Sequence, residues 1–419
     1  MVYFITIKPF GIPFERQVSP MQNVPYSNRI SKVAPSAIRE ILKVTQDPTV
    51  ISFAAGNPAT ESFPAREFGE IIDSILRETP GSALQYGISE GYTPLRENLK
   101  RYLRDKYGVG KDFDDTIIVT GGQQGIEMTA KTLLNDGDTL VCEEPSFLGA
   151  LNAFRSYDAV LKSAPVEKDG MDLDKLEAIL KEDKRVRLVY VIPTFQNPSG
   201  RVMSLEKRKG LLALAEKYHF MILEDNPYYD LRYEGETVPT IKSLDEKGYV
   251  IYCGSFSKVL APGIRVGYVT APDWMIAKLT VAKQLSDVHT NLLMQMTVDR
   301  YMKEYGLDQH IEEIRKINVK KRDLMLAALE ESTRGFMEIE RPAGGLFIWA
   351  TLPEGYDGTR LCKIAGAYKV AAVPGASFCV DDGKPYPAIR LNFSLPTAEQ
   401  IEKGCAFLGK ACEAYQKEI

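Results

Sequence analysis

The residues around Lys258 combine an amine, two hydroxyls and a guanidinium in one short segment, SFSKVLAPGIRVGY. A primary amine can form a Schiff base with an aldehyde cofactor, and a phosphate on that cofactor requires hydrogen-bond donors and a fixed positive charge. Ser255 and Ser257 provide the hydroxyls, and Arg265 provides a planar fork for phosphate. The segment therefore predicts a pyridoxal phosphate site with Lys258 as the amine. Taken alone, it also fits a solvated lysine in a Ser/Gly loop.

Asp225 is a candidate partner for the ring nitrogen of the same cofactor. It follows the apolar run at 220–223, which is typical of a buried strand in a parallel sheet. A carboxylate that faces the pyridinium keeps the ring protonated and able to absorb the electrons of a substrate carbanion. Tyr228, three residues further on, can hydrogen-bond the ring hydroxyl. Because Asp-Asn-Pro also forms turns, a cap or turn role is the alternative for Asp225.

Two other apolar runs end in polar loops of similar design. The run at 188–192 leads to Asn197, whose amide can bind the ring oxygen or a substrate carboxylate, although Asn-Pro-Ser-Gly is also an ordinary turn. The segment TIIVTGGQQG predicts a strand, a glycine turn and a helix, so the amides of Gly122 and Gln123 would point from a helix N-terminus at an anion. This turn supplies a second wall for the phosphate that Arg265 binds.

With these segments in place, the chain resembles the class I/II aminotransferases of the fold type I pyridoxal phosphate enzymes. It is most similar to the branch that holds kynurenine/2-aminoadipate and aromatic amino acid aminotransferases. The resemblance runs from about Ser27 to the C-terminus, and its landmarks stand in the family's order. They are ISFAAGNP at Ile51, LQYGISEGYTPLRE at Leu84, VTGGQQG at Val119, EEPSF at Glu143, NPSG at Asn197, EDNPYY at Glu224, the lysine segment, and AIRLNFS at Ala388.

The resemblance implies an α/β fold and a division of the chain. A large cofactor-binding domain, residues 68–306, would hold a mostly parallel central sheet between helices. A smaller α/β domain would combine residues 27–67 and 307–419, and residues 1–26 would form an N-terminal arm. The elements themselves agree with this: apolar runs alternate with amphipathic stretches from about Phe68 to about Val288, a charged helix is predicted from about Leu307 to Glu331, and Thr397 with Gln400 predicts a capping box for the last helix.

The resemblance also implies roles for the site residues. Lys258 would bind the cofactor and, once the substrate displaces it, move the proton at the alpha carbon. Asp225 would pair with the pyridinium, and Tyr228 and Asn197 would contact the ring oxygen. The residues that would hold the phosphate are Gly122, Gln123, Ser255, Ser257 and Arg265. Tyr86 would reach the phosphate of the neighbouring subunit, which makes the enzyme a homodimer with shared active sites.

On the substrate side, the resemblance implies that Arg390 clamps the alpha-carboxylate through two hydrogen bonds, near Asn197 and Gly56. A lone arginine in an alternating strand is otherwise typical of a surface. Two residues depart from the family pattern: Phe147 stands where a tyrosine often stacks on the ring, and Gly122 stands where a serine often adds a hydroxyl for the phosphate. The region from Asp287 to Gln295 either shapes the side-chain pocket or simply begins a helix.

The expected reaction is ping-pong transamination from an L-amino acid to a 2-oxo acid, most simply 2-oxoglutarate. The motifs do not select the donor, which is aromatic, 2-aminoadipate-like or broad in range. Two alternatives remain: another carbanion enzyme on the same scaffold, such as a lyase or decarboxylase, and a non-catalytic sensor that binds the cofactor. Pyridoxamine phosphate would accumulate only in a transaminase.

Composition excludes several other classes of function. The 419 residues are 44% hydrophobic and 26% charged, with a net charge of −4, so no basic field is available for nucleic acid. The length before Ser27 is also too short for a winged helix-turn-helix domain. Six cysteines without a CxxC pair favour reduced thiols and a cytoplasmic location, and three scattered histidines give no metal site. No membrane span or targeting signal is predicted.

Overall fold

The computed structural model describes residues 26–31, 33 and 47–418, so the predicted arm, apart from Tyr26, lies outside the described residues. Fourteen strands are present in this part of the chain. They are β1 Ile51–Ser52, β2 Asp114–Val119, β3 Thr139–Glu144, β4 Val160–Glu167, β5 Gly170–Met171, β6 Val186–Val191, β7 Met221–Asp225, β8 Val250–Ser255, β9 Gly267–Pro272, β10 Glu338–Ile339, β11 Phe347–Thr351, β12 Val370–Ala371, β13 Val373–Pro374 and β14 Ala388–Asn392.

The helices of the described residues alternate with these strands through most of the chain. They are α1 Asn28–Ser31, α2 Ala65–Glu78, α3 Pro80–Leu84, α4 Thr93–Tyr107, α5 Gly122–Leu133, α6 Leu148–Arg155, α7 Leu173–Glu182, α8 Leu205–Tyr218, α9 Ile241–Leu244, α10 Asp273–Gln284, α11 Leu292–Glu304, α12 Leu307–Thr333, α13 Gly358–Ala367 and α14 Ala398–Gln416. Within the same residues, no helix is both long and apolar enough to cross a bilayer.

Eight strands form the main sheet, in the order β2-β9-β8-β7-β6-β3-β4-β5. The five strands from β8 to β4 are parallel to one another, and β9 runs antiparallel between β8 and β2. Parallel neighbours need a crossover connection, whereas antiparallel neighbours can be joined by a loop. Residues 256–266 are such a loop, and they hold the lysine segment at the carboxyl end of β8. The predicted mostly parallel α/β architecture is confirmed.

Both faces of the main sheet are buried, as the continuous apolar runs predict. In β6, Leu188 and Tyr190 pack into the core on one face, and Val189 and Val191 pack into the core on the other. Side chains alternate along a strand, so a strand covered on both faces needs apolar residues throughout. Helices α7 and α8 cover the second face.

A second, antiparallel sheet has the order β10-β11-β14-β13, and β1 pairs with β12 in a small parallel sheet. Strands β11 and β14 share an apolar core with helices α12 and α14. The capping box that begins α14 is confirmed, because the Thr397 side chain accepts from the Gln400 backbone and the Gln400 side chain accepts from the Thr397 backbone. The domain boundaries at 26/27, 67/68 and 306/307 stay a prediction.

Candidate active site

One cavity of about 270 Å³ opens at the carboxyl ends of the parallel strands, where open α/β sheets bind their ligands. Asp225 ends β7, Asn197 follows β6, and Lys258 follows β8. The cavity is lined by every predicted site residue except Tyr86: Gly56, Gly122, Gln123, Phe147, Asn197, Asp225, Tyr228, Ser255, Ser257, Lys258, Arg265 and Arg390. Residues of the main sheet and of the second, antiparallel sheet, from positions 56 to 390 of the chain, therefore converge on one cavity.

The amine of Lys258 lies in the middle of this lining. Its Nζ donates a hydrogen bond of 2.7 Å to the carbonyl oxygen of Gly56. Burial, together with the nearby charges of Arg390 and Arg265, lowers the pKa of Lys258 to about 8, against the opposing influence of Asp225. A lysine with this pKa is partly neutral near physiological pH, so it can act as a nucleophile and as a base.

Asp225 is a buried carboxylate at the end of its strand. Its Oδ2 accepts a 2.7 Å hydrogen bond from the hydroxyl of Tyr190. Burial raises the pKa of Asp225 to about 6, against the opposing influence of the Tyr190 hydroxyl and the Lys258 charge. The group is therefore mostly ionised at neutral pH. It can pair with a cation in the cavity.

A row of hydrogen-bond donors, here called the anion wall, consists of Gly122, Gln123, Ser255, Ser257 and Arg265. Strand register builds it, because Gly267 pairs with Val119 of β2 on one side and with Ser255 of β8 on the other. The Ser255 hydroxyl donates to the Ser257 Oγ over 2.9 Å. Helix α5 directs its N-terminus at the same place, and helix N-termini attract anions.

Arg265 lies directly against the glycine turn of the anion wall. Its Nη2 donates to the carbonyl oxygen of Thr120 and its Nη1 to that of Pro262, both over 3.2 Å. A Cβ atom on Gly121 would lie 2.4 Å from Nη2, so this approach requires glycine, which also accommodates the φ of +76° at that position. Arg265 itself has a φ of +53°, an uncommon conformation for a residue with a side chain.

Arg390 of β14 is a buried guanidinium, 1% exposed, with no carboxylate bound to it among the described residues. Its Nη1 donates to Asn197 Oδ1 over 2.9 Å and its Nη2 to the carbonyl oxygen of Ala54 over 2.6 Å, while its buried Nε has no partner there. Burial lowers its pKa to about 10. A buried charge is costly unless an opposite charge joins it, so this site is complementary to an anionic ligand.

Several cavity residues were not among those predicted from the sequence. The ring of Phe347 lies 4.2 Å from the Arg390 guanidinium carbon and meets the Tyr228 ring edge-on at 5.8 Å. Phe347 belongs to an apolar strand segment, FIWAT, in which nothing marks one side chain as part of a site. The other unpredicted lining residues are Asn57, Ile126, Ile192 and Pro227. Tyr190, which donates a hydrogen bond to Asp225, was also not predicted, because it lies within an apolar run.

Tyr86 lies outside the cavity lining of the single chain. Its side chain is 82% exposed, and its ring meets that of His289 edge-on at 5.8 Å. The region from Asp287 to Gln295 begins helix α11 at Leu292, with Asn291 as its cap, and none of its residues lines the cavity. The helix start is therefore confirmed, while a role of this region in the side-chain pocket stays a prediction.

Comparison with known proteins agrees with this geometry. The profile of the family "Aminotransferase class I and II" matches residues 48–408. An aromatic-amino-acid aminotransferase of Thermococcus litoralis is 42% identical over 94% of this chain and 95% of its own length. A 2-aminoadipate transaminase of Thermus thermophilus is 38% identical over 91% and 94%.

Solved structures give the same result. A multiple substrate aminotransferase of Thermococcus profundus superimposes with a TM-score of 0.90 at 40% identity, covering 94% of this chain and 98% of its own. The alpha-aminoadipate aminotransferase LysN of Thermus thermophilus, solved with N-(5'-phosphopyridoxyl)-L-leucine, has a TM-score of 0.86 at 36% identity, covering 94% and 98%. The chain belongs to the class I and II aminotransferases.

Proposed function

We propose that the Lys258 cavity is the active site of a pyridoxal phosphate-dependent aminotransferase. The amino donor is an L-amino acid that is aromatic or 2-aminoadipate-like, or one of a broad range of L-amino acids. The acceptor is a 2-oxo acid, and 2-oxoglutarate is the proposed one. The observation that carries this function is the meeting, in one cavity, of the Lys258 amine and a buried Arg390 guanidinium that binds no carboxylate of the described residues. A site with these two groups can receive the amino and carboxylate ends of the same small molecule.

The donor set fits pyridoxal phosphate. When bound, the cofactor supplies an aldehyde that takes up amino groups and a ring that absorbs the electrons released at the substrate alpha carbon. The anion wall supplies hydroxyl, amide and guanidinium donors for the phosphate, and Arg265 binds no carboxylate of the described residues that would compete. Asp225 supplies a buried negative charge for the ring nitrogen. Asn197 and Tyr228 supply donors for the ring oxygen, and Phe147 supplies an aromatic face.

Lys258 is the proposed base of the reaction. Once a substrate amine has displaced it, its free Nζ takes the proton from the alpha carbon of the donor and returns one in the second half of the cycle. A pKa of about 8 suits this work, because general bases act best when their pKa lies near the working pH. The Gly56 carbonyl oxygen, 2.7 Å from Nζ, keeps the amine oriented into the cavity.

Arg390 is the proposed clamp for the alpha-carboxylate. Its guanidinium is held by Asn197 and the Ala54 carbonyl and is enclosed by the rings of Phe347 and Phe378, at 4.2 and 5.0 Å. These contacts fix the plane of the guanidinium before substrate arrives, so little entropy is lost when the carboxylate binds. Exclusion of water strengthens the ion pair that then forms.

A half-reaction measurement tests the function. Cofactor-loaded protein is mixed with single amino acids without acceptor, and the cofactor absorbance and the released oxo acid are followed together. We expect stoichiometric conversion of the cofactor to its amine form, with the fastest rates for aromatic donors and 2-aminoadipate rather than for alanine. Product release with the original cofactor spectrum restored would indicate a lyase or decarboxylase. A spectrum that no amino acid changes would favour the sensor.

A homodimer with shared active sites is part of this proposed function. Five exposed apolar side chains in two segments of the chain are here called the dimer patch: Leu84, Tyr86, Ile88, Leu285 and Val288. The contact between Tyr86 and His289 joins the two segments that carry them. Exposed apolar side chains grouped in this way are typical of subunit interfaces, and a symmetric pair of copies is the commonest assembly. In such a dimer Tyr86 would be available to the partner's phosphate.

Sedimentation measures the predicted dimer directly. We expect the wild-type protein to sediment as a dimer and Leu285→Glu to shift towards monomer with loss of activity, because a buried charge opposes the interface. Trp274→Glu is the matched control, since Trp274 is another exposed apolar residue at the opposite end of α10. A monomeric, fully active wild type would contradict the shared site.

The cytoplasmic location also belongs to the proposal. All six cysteines are free, and five of them are buried, as expected for thiols in a reducing compartment.

A further inference from the structure

Lys283 is a fully buried lysine that lies behind the anion wall and outside the cavity lining. Its Nζ donates to Gln124 Oε1 over 2.8 Å, to Asp287 Oδ1 over 2.9 Å and to Thr290 Oγ1 over 3.0 Å. A lysine loses hydration when it is buried, so its three donors must be satisfied by the protein. Here they connect α10, which carries Lys283, to two other parts of the chain: Gln124 in the first turn of α5, and the loop that holds Asp287 and Thr290.

The first contact of Lys283 leads to the glycine turn before α5. Gln124 Oε1 accepts a hydrogen bond from the backbone N–H of Thr120 over 2.7 Å and another from Lys283 Nζ. One amide oxygen therefore connects Lys283 to the turn. The carbonyl oxygen of Thr120 in turn accepts from Arg265 Nη2. Three hydrogen bonds in series thereby connect the Lys283 amine to the Arg265 guanidinium of the anion wall.

The second contact leads to the loop that carries His289. Asp287 Oδ2 accepts from the Thr120 hydroxyl over 2.6 Å, and the Thr120 and Thr290 hydroxyls are 3.0 Å apart. Val288, which lies between Asp287 and Thr290 in the chain, has a φ of +66°. This conformation is strained for a β-branched residue and persists only where the surrounding structure holds it. This loop supports the His289 ring against which Tyr86 packs.

We infer that Lys283 is a positioning residue for the cofactor phosphate, because it ties the turn at Thr120–Gln124 to the loop at Asp287–Thr290. It touches neither substrate nor cofactor and acts through Thr120, Gln124 and Arg265. Hydrogen-bond networks of this kind keep a binding group in one orientation, and loss of one member loosens the rest. The inference rests on the proposed function of the cavity as a pyridoxal phosphate site.

Equilibrium dialysis of the full-length holoenzyme tests the proposed role of Lys283 in positioning the phosphate site. The Lys283→Met protein is dialysed against a series of pyridoxal phosphate concentrations, and bound cofactor is read from its absorbance. We expect the Kd for the cofactor to rise by about 10- to 100-fold, the scale on which hydrogen-bond partners of metal-binding side chains affect metal affinity. The kcat at saturating cofactor and the KM for the amino donor should change far less, because Lys258 and Arg390 keep their surroundings.

Lys242→Met is the matched control. Lys242 is also fully buried, and it is ion-paired with Asp114 and Asp245 over 2.7 and 3.0 Å, but Asp114 is at the end of β2 remote from the cavity. Its loss should lower thermal stability and leave the cofactor Kd unchanged. An equal rise in Kd in both variants would assign the effect to general destabilisation and overturn the inference, as would an unchanged Kd in Lys283→Met.

Thr290→Val covers the case in which Lys283→Met does not fold. It removes one hydroxyl partner of Lys283 with little change in volume, and we expect a smaller rise in Kd, of about 3- to 10-fold, for one lost hydrogen bond. If Thr290→Val binds the cofactor as tightly as the wild type, the inference is wrong. A wild-type protein that fails to bind pyridoxal phosphate would instead contradict the proposed function itself.

Discussion

Lys258→Ala is expected to abolish transamination, with kcat reduced by about 10⁴-fold or more. Loss of a general base alone costs about 10²–10⁴-fold, and this change also removes the amine that takes up the cofactor aldehyde. The half-reaction with excess amino acid and the full cycle with 2-oxoglutarate should both fail. Stopped-flow absorbance for the first and oxo acid release for the second measure the loss.

The same variant should fold normally. Burial lowers the pKa of Lys258 from its ordinary value to about 8, so between about pH 8 and 10.5 the unfolded chain holds a proton that the folded chain releases. Stability therefore rises with pH across that window, and at neutral pH the buried amine costs the cofactor-free fold free energy. Lys258→Ala removes this cost, so its cofactor-free form should melt no lower than the wild type at pH 7.

Lys278→Ala is a suitable control for Lys258→Ala, because Lys278 is an exposed lysine on α10. It should retain wild-type kcat and stability. Near-wild-type turnover in Lys258→Ala would show that the base lies elsewhere in the cavity. Lost turnover accompanied by a collapsed circular dichroism spectrum would mean that Lys258 is needed for the fold rather than for the reaction.

The parts of the site that the sequence predicts are those that follow strands. Lys258, Asp225 and Asn197 each come after an apolar run, and parallel strands bring the ends of such runs to one edge of the sheet. The Thr397–Gln400 capping box is local in the same sense, since it depends on residues three apart. Local patterns and the order of elements were sufficient for these predictions.

The contacts that the sequence does not reveal span long distances along the chain. Arg390 and Asn197 are 193 residues apart, and their hydrogen bond joins the second sheet to the main one. Tyr190 reaches Asp225 because register pairs it with Leu223, two residues earlier on the same face of β7. A tyrosine within an apolar run gives no sign of such a partner. The antiparallel direction of β9 was likewise set by tertiary pairing and not by its own residues.

Arg390→Gln is expected to reduce kcat/KM for every amino acid donor. Removing one partner of a buried, hydrogen-bonded charge pair costs about 2–5 kcal/mol, which corresponds to roughly 30- to 4,000-fold. The cofactor Kd should change little, because the donors proposed for the phosphate and ring are other residues. Arg390→Lys should recover only part of the loss, since an ammonium keeps the charge but lacks the planar fork. Initial rates over a range of donor concentrations measure these effects.

Two comparisons separate carboxylate binding from a general effect of Arg390. Arg322→Gln removes another fully buried arginine, one that is ion-paired with Glu234 and Asp323, and should lower stability without a comparable loss of kcat/KM. An amine that resembles the best donor but lacks its carboxylate reports on the clamp itself. The wild type should strongly prefer the amino acid over this amine, and Arg390→Gln should lose most of that preference because the amine never used the guanidinium. If Arg390→Gln slows both compounds by the same factor, Arg390 supports the cavity structurally and the carboxylate is bound by another group.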